Sequence, residues 1–217
     1  MPGVSMIMLS MALAMASPIE RSAAPAAVHV AIEREEGVSL ADADVRTIAA
    51  DLERIWRPAV DVVATVGSGP AGLLARDHVR LVLTMRTLPA TDAAGIGWIE
   101  FVDDRPQPVL TVSLTAVNGL VRNGRWSGRP FSSLPARASA LFRQRAIARA
   151  AAHELGHYLL HTKDHAPRGL MRAVYMVAEI MSGSAKLNRL DAKLIASMEG
   201  DQRERMAGGL RPANAND

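Results

Sequence analysis

Residues 153 to 165 read HELGHYLLHTKDH and hold four of the six histidines in the chain. His153 and His157 stand four apart, with Glu154 beside the first. Residues at i and i+4 of a helix share one face, about a turn apart. Two imidazoles placed so can reach one zinc ion, each through a bond of about 2.0–2.1 Å. Glu154 then lies about 100° round the helix, near enough to touch a metal-bound water without displacing it. The chemistry would be metal-assisted hydrolysis. The H-E-x-x-H pattern also occurs in ordinary helices, where the histidines only pack or pair, so the residues downstream of His157 matter.

A catalytic zinc takes three protein ligands and leaves one position for water. His161 and His165 are the available candidates. On a straight helix His153 and His161 are separated by about 12 Å along the axis, too far for one tetrahedral site. A chain that leaves the helix near His161 and turns back brings His165 to the ion instead. Thr162-Lys163-Asp164, with Pro167 and Gly169 beyond, favours that stop and turn. The expected ligand set is therefore His153, His157 and His165, with Glu154 as the catalytic carboxylate. His161 is read as a helix-end residue or as a group that supports one of the ligands. A second arrangement takes a Glu from a following helix as third ligand, and Glu179 stands about where it would come.

The same stretch resembles the metzincin clan of zinc metallopeptidases, which carry H-E-x-x-H-x-x-G-x-x-H and then a tight turn with a methionine beneath the metal. The match covers His153, Glu154, His157, the downstream His165, and Gly169-Leu170-Met171 as the candidate Met-turn. The clan's Gly position holds Leu160 here, its third His position holds Lys163, and His165 follows His157 by eight residues rather than six. Residues 169–173, Gly-Leu-Met-Arg-Ala, are similar to a group of predicted bacterial proteases with this longer spacing. The departures leave His161 open beside His165. Some clan members carry a Tyr two residues after the Met. That position is Ala173, which leaves Tyr175 as a weaker candidate for a helper. The resemblance implies Zn2+ as cofactor, a peptide or protein substrate docked along the edge of the 97–117 hairpin, and Met171 as an apolar floor.

The elements that must position these residues are readable from periodicity. The span from Leu134 to His161 is rich in Ala, Leu, Arg and Gln, with Leu141, Ile147, Ala151, Leu155 and Leu159 at helical spacing. Ser132 or Ser133 is expected to cap it, with Pro135 in its first turn. Val28 to Arg34 alternates as a strand, and Ser39 with Asp42 forms an expected capping box for a helix through Trp56. Strands come next at 60–66 and 78–86, then a hairpin of 96–102 and 109–117 joined through residues 103–106. A loop is expected over 118–133, and a further helix over 188–199. The order gives an α+β or α/β domain, read as α+β, a twisted mixed β-sheet packed on two long helices. The resemblance implies that the domain is zincin-like, with a zinc-site helix, Met-turn and C-terminal helix. His29 and His78 read as strand residues.

Gly67-Ser68-Gly69-Pro70-Ala71-Gly72 fits G-x-G-x-x-G, but the run to the next strand is too short for the helix a dinucleotide site needs, and that strand ends in Arg86 without an acidic residue. It reads as a turn. The chain's 217 residues, 49% of them apolar, suit one domain, taken as 28–199. Residues 1–16 contain an uncharged apolar run, MIMLSMALAMA, of signal-peptide h-region length. Residues 17–27 read as a linker and 200–217 as a flexible tail. A secreted or periplasmic protein without a stable membrane anchor is the expectation. The absence of Cys removes disulfides and thiolate metal sites. A net charge of +3 with scattered basic residues and 4% aromatics gives no case for a nucleic-acid partner. The alternative to a peptidase is an exported zinc-binding or interaction domain of the same fold without turnover.

Overall fold

The computed structural model describes residues 27–67, 78–87 and 95–182. The expected signal peptide, most of the expected linker, residues 68–72 of the expected glycine turn, the helix expected over 188–199 and the expected tail lie outside the described residues. The described chain forms an α+β unit built on a mixed five-stranded sheet.

Strand β1 (Val28–Arg34) alternates as expected, with Val28, Val30 and Ile32 buried beneath the helices. It leads into helix α1 (Asp42–Trp56), whose Val45, Ile48, Leu52, Ile55 and Trp56 form the buried stripe. The Ser39–Asp42 box does not form. The helix starts at Ala41 without a side-chain cap, and Asp42 pairs with Arg34 at 2.8 Å instead. Strands β2 (Val62–Val66) and β3 (His78–Thr84) both lie parallel to β1, on opposite sides of it. Leu81 and Leu83 are buried against the helices, while on the opposite face Val82 is shielded between neighbouring strands and Arg80 stays exposed.

Strands β4 (Gly97–Val102) and β5 (Arg105–Ser113) are antiparallel, and the sheet order is β2-β1-β3-β5-β4. Their turn is two residues, Asp103 and Asp104, both left-handed at φ 48° and 57°. Two left-handed residues make the primed turn that matches strand twist. Strand β4 is an edge strand.

The hairpin ends earlier than its apolar run implied. Beyond Ser113 the chain forms helix α2 (Leu114–Asn123), where strand and then loop were expected. Ser113 starts it, its hydroxyl accepting the Ala116 N–H at 3.2 Å, and Leu114 and Val117 are buried. A cap, rather than composition, decides this segment. A small hairpin, β6 (Arg125–Trp126) and β7 (Arg129–Pro130), and a 3-10 turn (Phe131–Ser133) follow.

Helix α3 (Ala136–Leu160) is the long helix anticipated from the Ala-rich run. Its N-cap is Pro135 with no side-chain bond, and the Ser133 hydroxyl donates to Pro130 at 2.8 Å rather than capping. Every residue from Ala146 to His157 is buried, because α1, α2, β4 and β5 all pack against it. The Trp56 indole N–H donates to the Ala152 carbonyl at 3.2 Å, tying the two long helices beside the histidines. A short helix α4 (Val177–Ser182) closes the described chain. Among the described residues no helix is long and apolar enough to cross a membrane.

Candidate metal centre

Helix α3 ends one residue before His161, which sits left-handed at φ 50° and returns its N–H to the His157 and Tyr158 carbonyls. The left-handed residue turns the chain back across the end of α3. The turn is closed by the Ala166 N–H donating to the Met171 carbonyl at 2.7 Å. Gly169 takes φ 82°, a value that favours glycine, and Leu170 and Met171 are buried behind it.

Met171 packs directly on helix α3 at Gly156. A Cβ there would run into Met171 Sδ, with its Cε at 3.0 Å. Gly156 therefore lets the sulfur approach the backbone between the two helix histidines.

Both buried histidines are fixed through Nδ1. That of His153 lies 2.8 Å from the Leu170 carbonyl, and that of His157 lies 2.7 Å from the Thr162 carbonyl. A carbonyl only accepts, so each Nδ1 carries the proton and each Nε2 presents a lone pair. The two Nε2 atoms face one another at 3.0 Å. Two ligands on one tetrahedral zinc would stand about 3.3 Å apart, from its bond lengths. Two lone pairs that close repel unless a cation lies between them. His165 completes the group, the ligand atoms of all three residues lying within 4.8 Å of one another. Its ring centroid is 5.1 Å from that of His153 and 5.0 Å from that of His157. The three histidines can hold a metal ion.

Burial pulls the His153 pKa down to about 4, against the opposing pull of the Leu170 carbonyl. It also lowers that of His157. Both rings are thereby kept neutral, the form that binds metal. Glu154, next to His153, is buried as well, and burial pushes its carboxyl up to about 8. Its position depends on Gly97 at the start of edge strand β4. A Cβ on Gly97 would lie 3.1 Å from both Glu154 Cγ and Oε1. A missing side chain thus brings the edge strand against the carboxylate.

The structure brings together His153, His157 and His165 and leaves His161 outside. The His161 side chain is exposed and stacks on Tyr158, with centroids 6.4 Å apart. Glu179 is not part of the group whose ligand atoms converge. It accepts the Met176 N–H at 2.7 Å and pairs with Arg172 at 2.5 Å, organising the start of α4. Lys163, six residues after His157, reaches Asp104 of the β4–β5 turn at 2.7 Å and lies 5.2 Å over the Phe101 ring. His29 and His78 are partners on β1 and β3 and stack on each other at 4.9 Å, away from this centre.

Sequence reasoning did not find the carbonyls of Thr162 and Leu170, nor the roles of Gly97 and Gly156. A glycine inside a strong helical run was the available signal of close approach for Gly156. Compared with family models and with curated proteins, the chain matches none of them.

Proposed function

We propose that the chain is a zinc-dependent metalloendopeptidase of metzincin-like type, with His153, His157 and His165 as metal ligands and Glu154 as general base. The observation that carries the reading is the pair of committed Nδ1 protons. They leave two Nε2 lone pairs 3.0 Å apart, and a third imidazole joins them beside a buried carboxyl. The α+β order and the methionine under the metal helix support the resemblance drawn from the motif.

Bound at this site, zinc supplies a water whose pKa falls to about 7 and an electrophile for a carbonyl oxygen. The residues of the chain do the rest. Glu154 takes the proton of the attacking water and returns it to the leaving amine. Opposite charge nearby favours the carboxylate form, so a metal-loaded centre lowers the Glu154 pKa from its buried value. The carbonyls of Leu170 and Thr162 hold the imidazoles in the binding tautomer. An extended peptide can add to the open side of β4, where Gly97 meets Glu154.

The test joins metal analysis of the purified chain with cleavage of a mixed peptide library. Glu154→Gln should keep stoichiometric zinc and lose about 10²- to 10⁴-fold in rate. Cleavage at the wild-type rate by Glu154→Gln would refute the assignment. Zinc bound by the unaltered chain without any cleavage would favour the binding domain without turnover.

A further inference from the structure

Tyr175 lies in the extended stretch between the methionine turn and α4. Its neighbours Val174 and Met176 are 67% and 64% exposed, while Tyr175 itself turns inward. Its hydroxyl donates to the Leu170 carbonyl, the same oxygen that accepts the His153 Nδ1–H at 2.8 Å. The hydroxyl oxygen is also 3.2 Å from His153 Nδ1, so that N–H is shared between two acceptors. The tyrosine ring stands edge-on to the imidazole, with centroids 6.1 Å apart at 88°.

The ring is held in turn. The guanidinium carbon of Arg149 lies 4.3 Å from its centroid, and that of Arg172 lies 5.8 Å away. Arg149 is buried, one helical turn before His153 on α3. Cations over an aromatic face attract it, most strongly where water is excluded. One turn of α3 therefore supplies both a metal ligand and the cation that seats the tyrosine gripping that ligand.

Resting on the metal-centre reading, we propose that Tyr175 is a positioning residue, whose hydroxyl clamps the Leu170 carbonyl and the His153 Nδ1–H so that Nε2 stays aimed at the ion. In this role Tyr175 acts through His153 rather than on the ion. Partners on the outer nitrogen of a metal-bound histidine fix its ring orientation and raise its basicity. Their loss typically weakens metal binding by about 10- to 100-fold.

The experiment uses the full chain stripped of metal, Tyr175→Phe and Tyr175→Leu, and Co2+ as probe, with affinity read by chelator competition and geometry by the visible spectrum at saturation. Tyr175→Phe keeps the ring on Arg149 and removes only the hydroxyl. It should bind Co2+ about 10- to 100-fold more weakly, with altered visible bands even when saturated. Far-UV circular dichroism should be unchanged. Wild-type affinity and spectrum in Tyr175→Phe overturn the proposal, whatever Tyr175→Leu does, because the hydroxyl then has no role. If the unaltered chain binds no Co2+ or Zn2+, the metal centre itself falls, a different result from the first.

Discussion

His165→Ala tests the third ligand cleanly, because His165 is the one exposed member of the triad. His153 and His157 are buried and bonded to carbonyls, so removing either damages the metal-free fold as well. Truncating His165 should leave the metal-free protein within about 0.5 kcal/mol of wild type, as for surface residues generally. Its effect should appear only with zinc. Four-ligand structural sites bind zinc with about 10–16 kcal/mol, which is about 2.5–4 kcal/mol per ligand, or 10²- to 10³-fold in affinity. With free zinc at about 1,000 times the wild-type Kd, the bound ion stabilises the fold by about 4.1 kcal/mol. For a domain of this size that is a Tm rise of about 8–16 °C. After the loss of one ligand the same zinc concentration leaves about 0.4–1.4 kcal/mol and about 1–6 °C. Differential scanning fluorimetry with and without zinc reads this directly. His161→Asn, which keeps a residue tolerant of the left-handed φ, should retain the full wild-type rise. If His161→Asn loses the rise and His165→Ala keeps it, the ligand reasoning is wrong.

Gly156→Ala sets helix propensity against packing. Alanine gains up to about 1 kcal/mol in a helix interior, while forcing Met171 aside costs about 1–3 kcal/mol. We expect a net loss near 1 kcal/mol and weaker zinc binding, since Met171 anchors the turn that carries His165. A higher Tm in Gly156→Ala would show that Met171 does not press on the helix. In the metal-free protein, Glu154 is protonated up to about 8 when folded but ionised above about 4.5 when unfolded, so its contribution falls as pH rises through that window. His153, lowered from 6.5 to about 4, works the other way below pH 6.5 and not above it. Stability of the metal-free chain should therefore drop between pH 6.5 and 8, by at most about 1 kcal/mol per unit because each group is only partly titrated at the ends of that window. Glu154→Gln should flatten that slope. A flat wild-type profile of denaturation midpoint against pH would contradict the burial of an uncompensated carboxyl.

The parts of the molecule legible in sequence are those whose information is local. Strand β1, the long helices and the turn after His161 follow from alternation, helical spacing and breakers. His165 was preferred to His161 by helix geometry, and the chain does turn back as that geometry requires. Helix α2 is not legible because Leu114 to Val117 continues an apolar strand-like run and Asn118-Gly119 then reads as a loop, and only the Ser113 cap marks the change. The centre's remaining parts are contacts between distant segments. Leu170 holding His153, Met171 under Gly156 and Gly97 beside Glu154 carry no period and no motif. They exist only after the chain has folded.

The tie from Lys163 to Asp104 and Phe101 joins the His165 loop to the tip of the β4–β5 hairpin. Two imidazoles are buried on helix α3 and bonded to carbonyls, and the third rides on a strap fastened to the sheet's outer border. That strap is an exposed pair, 59% and 92% open to solvent, and holds only weakly, so raised salt loosens it well before the buried histidines are touched.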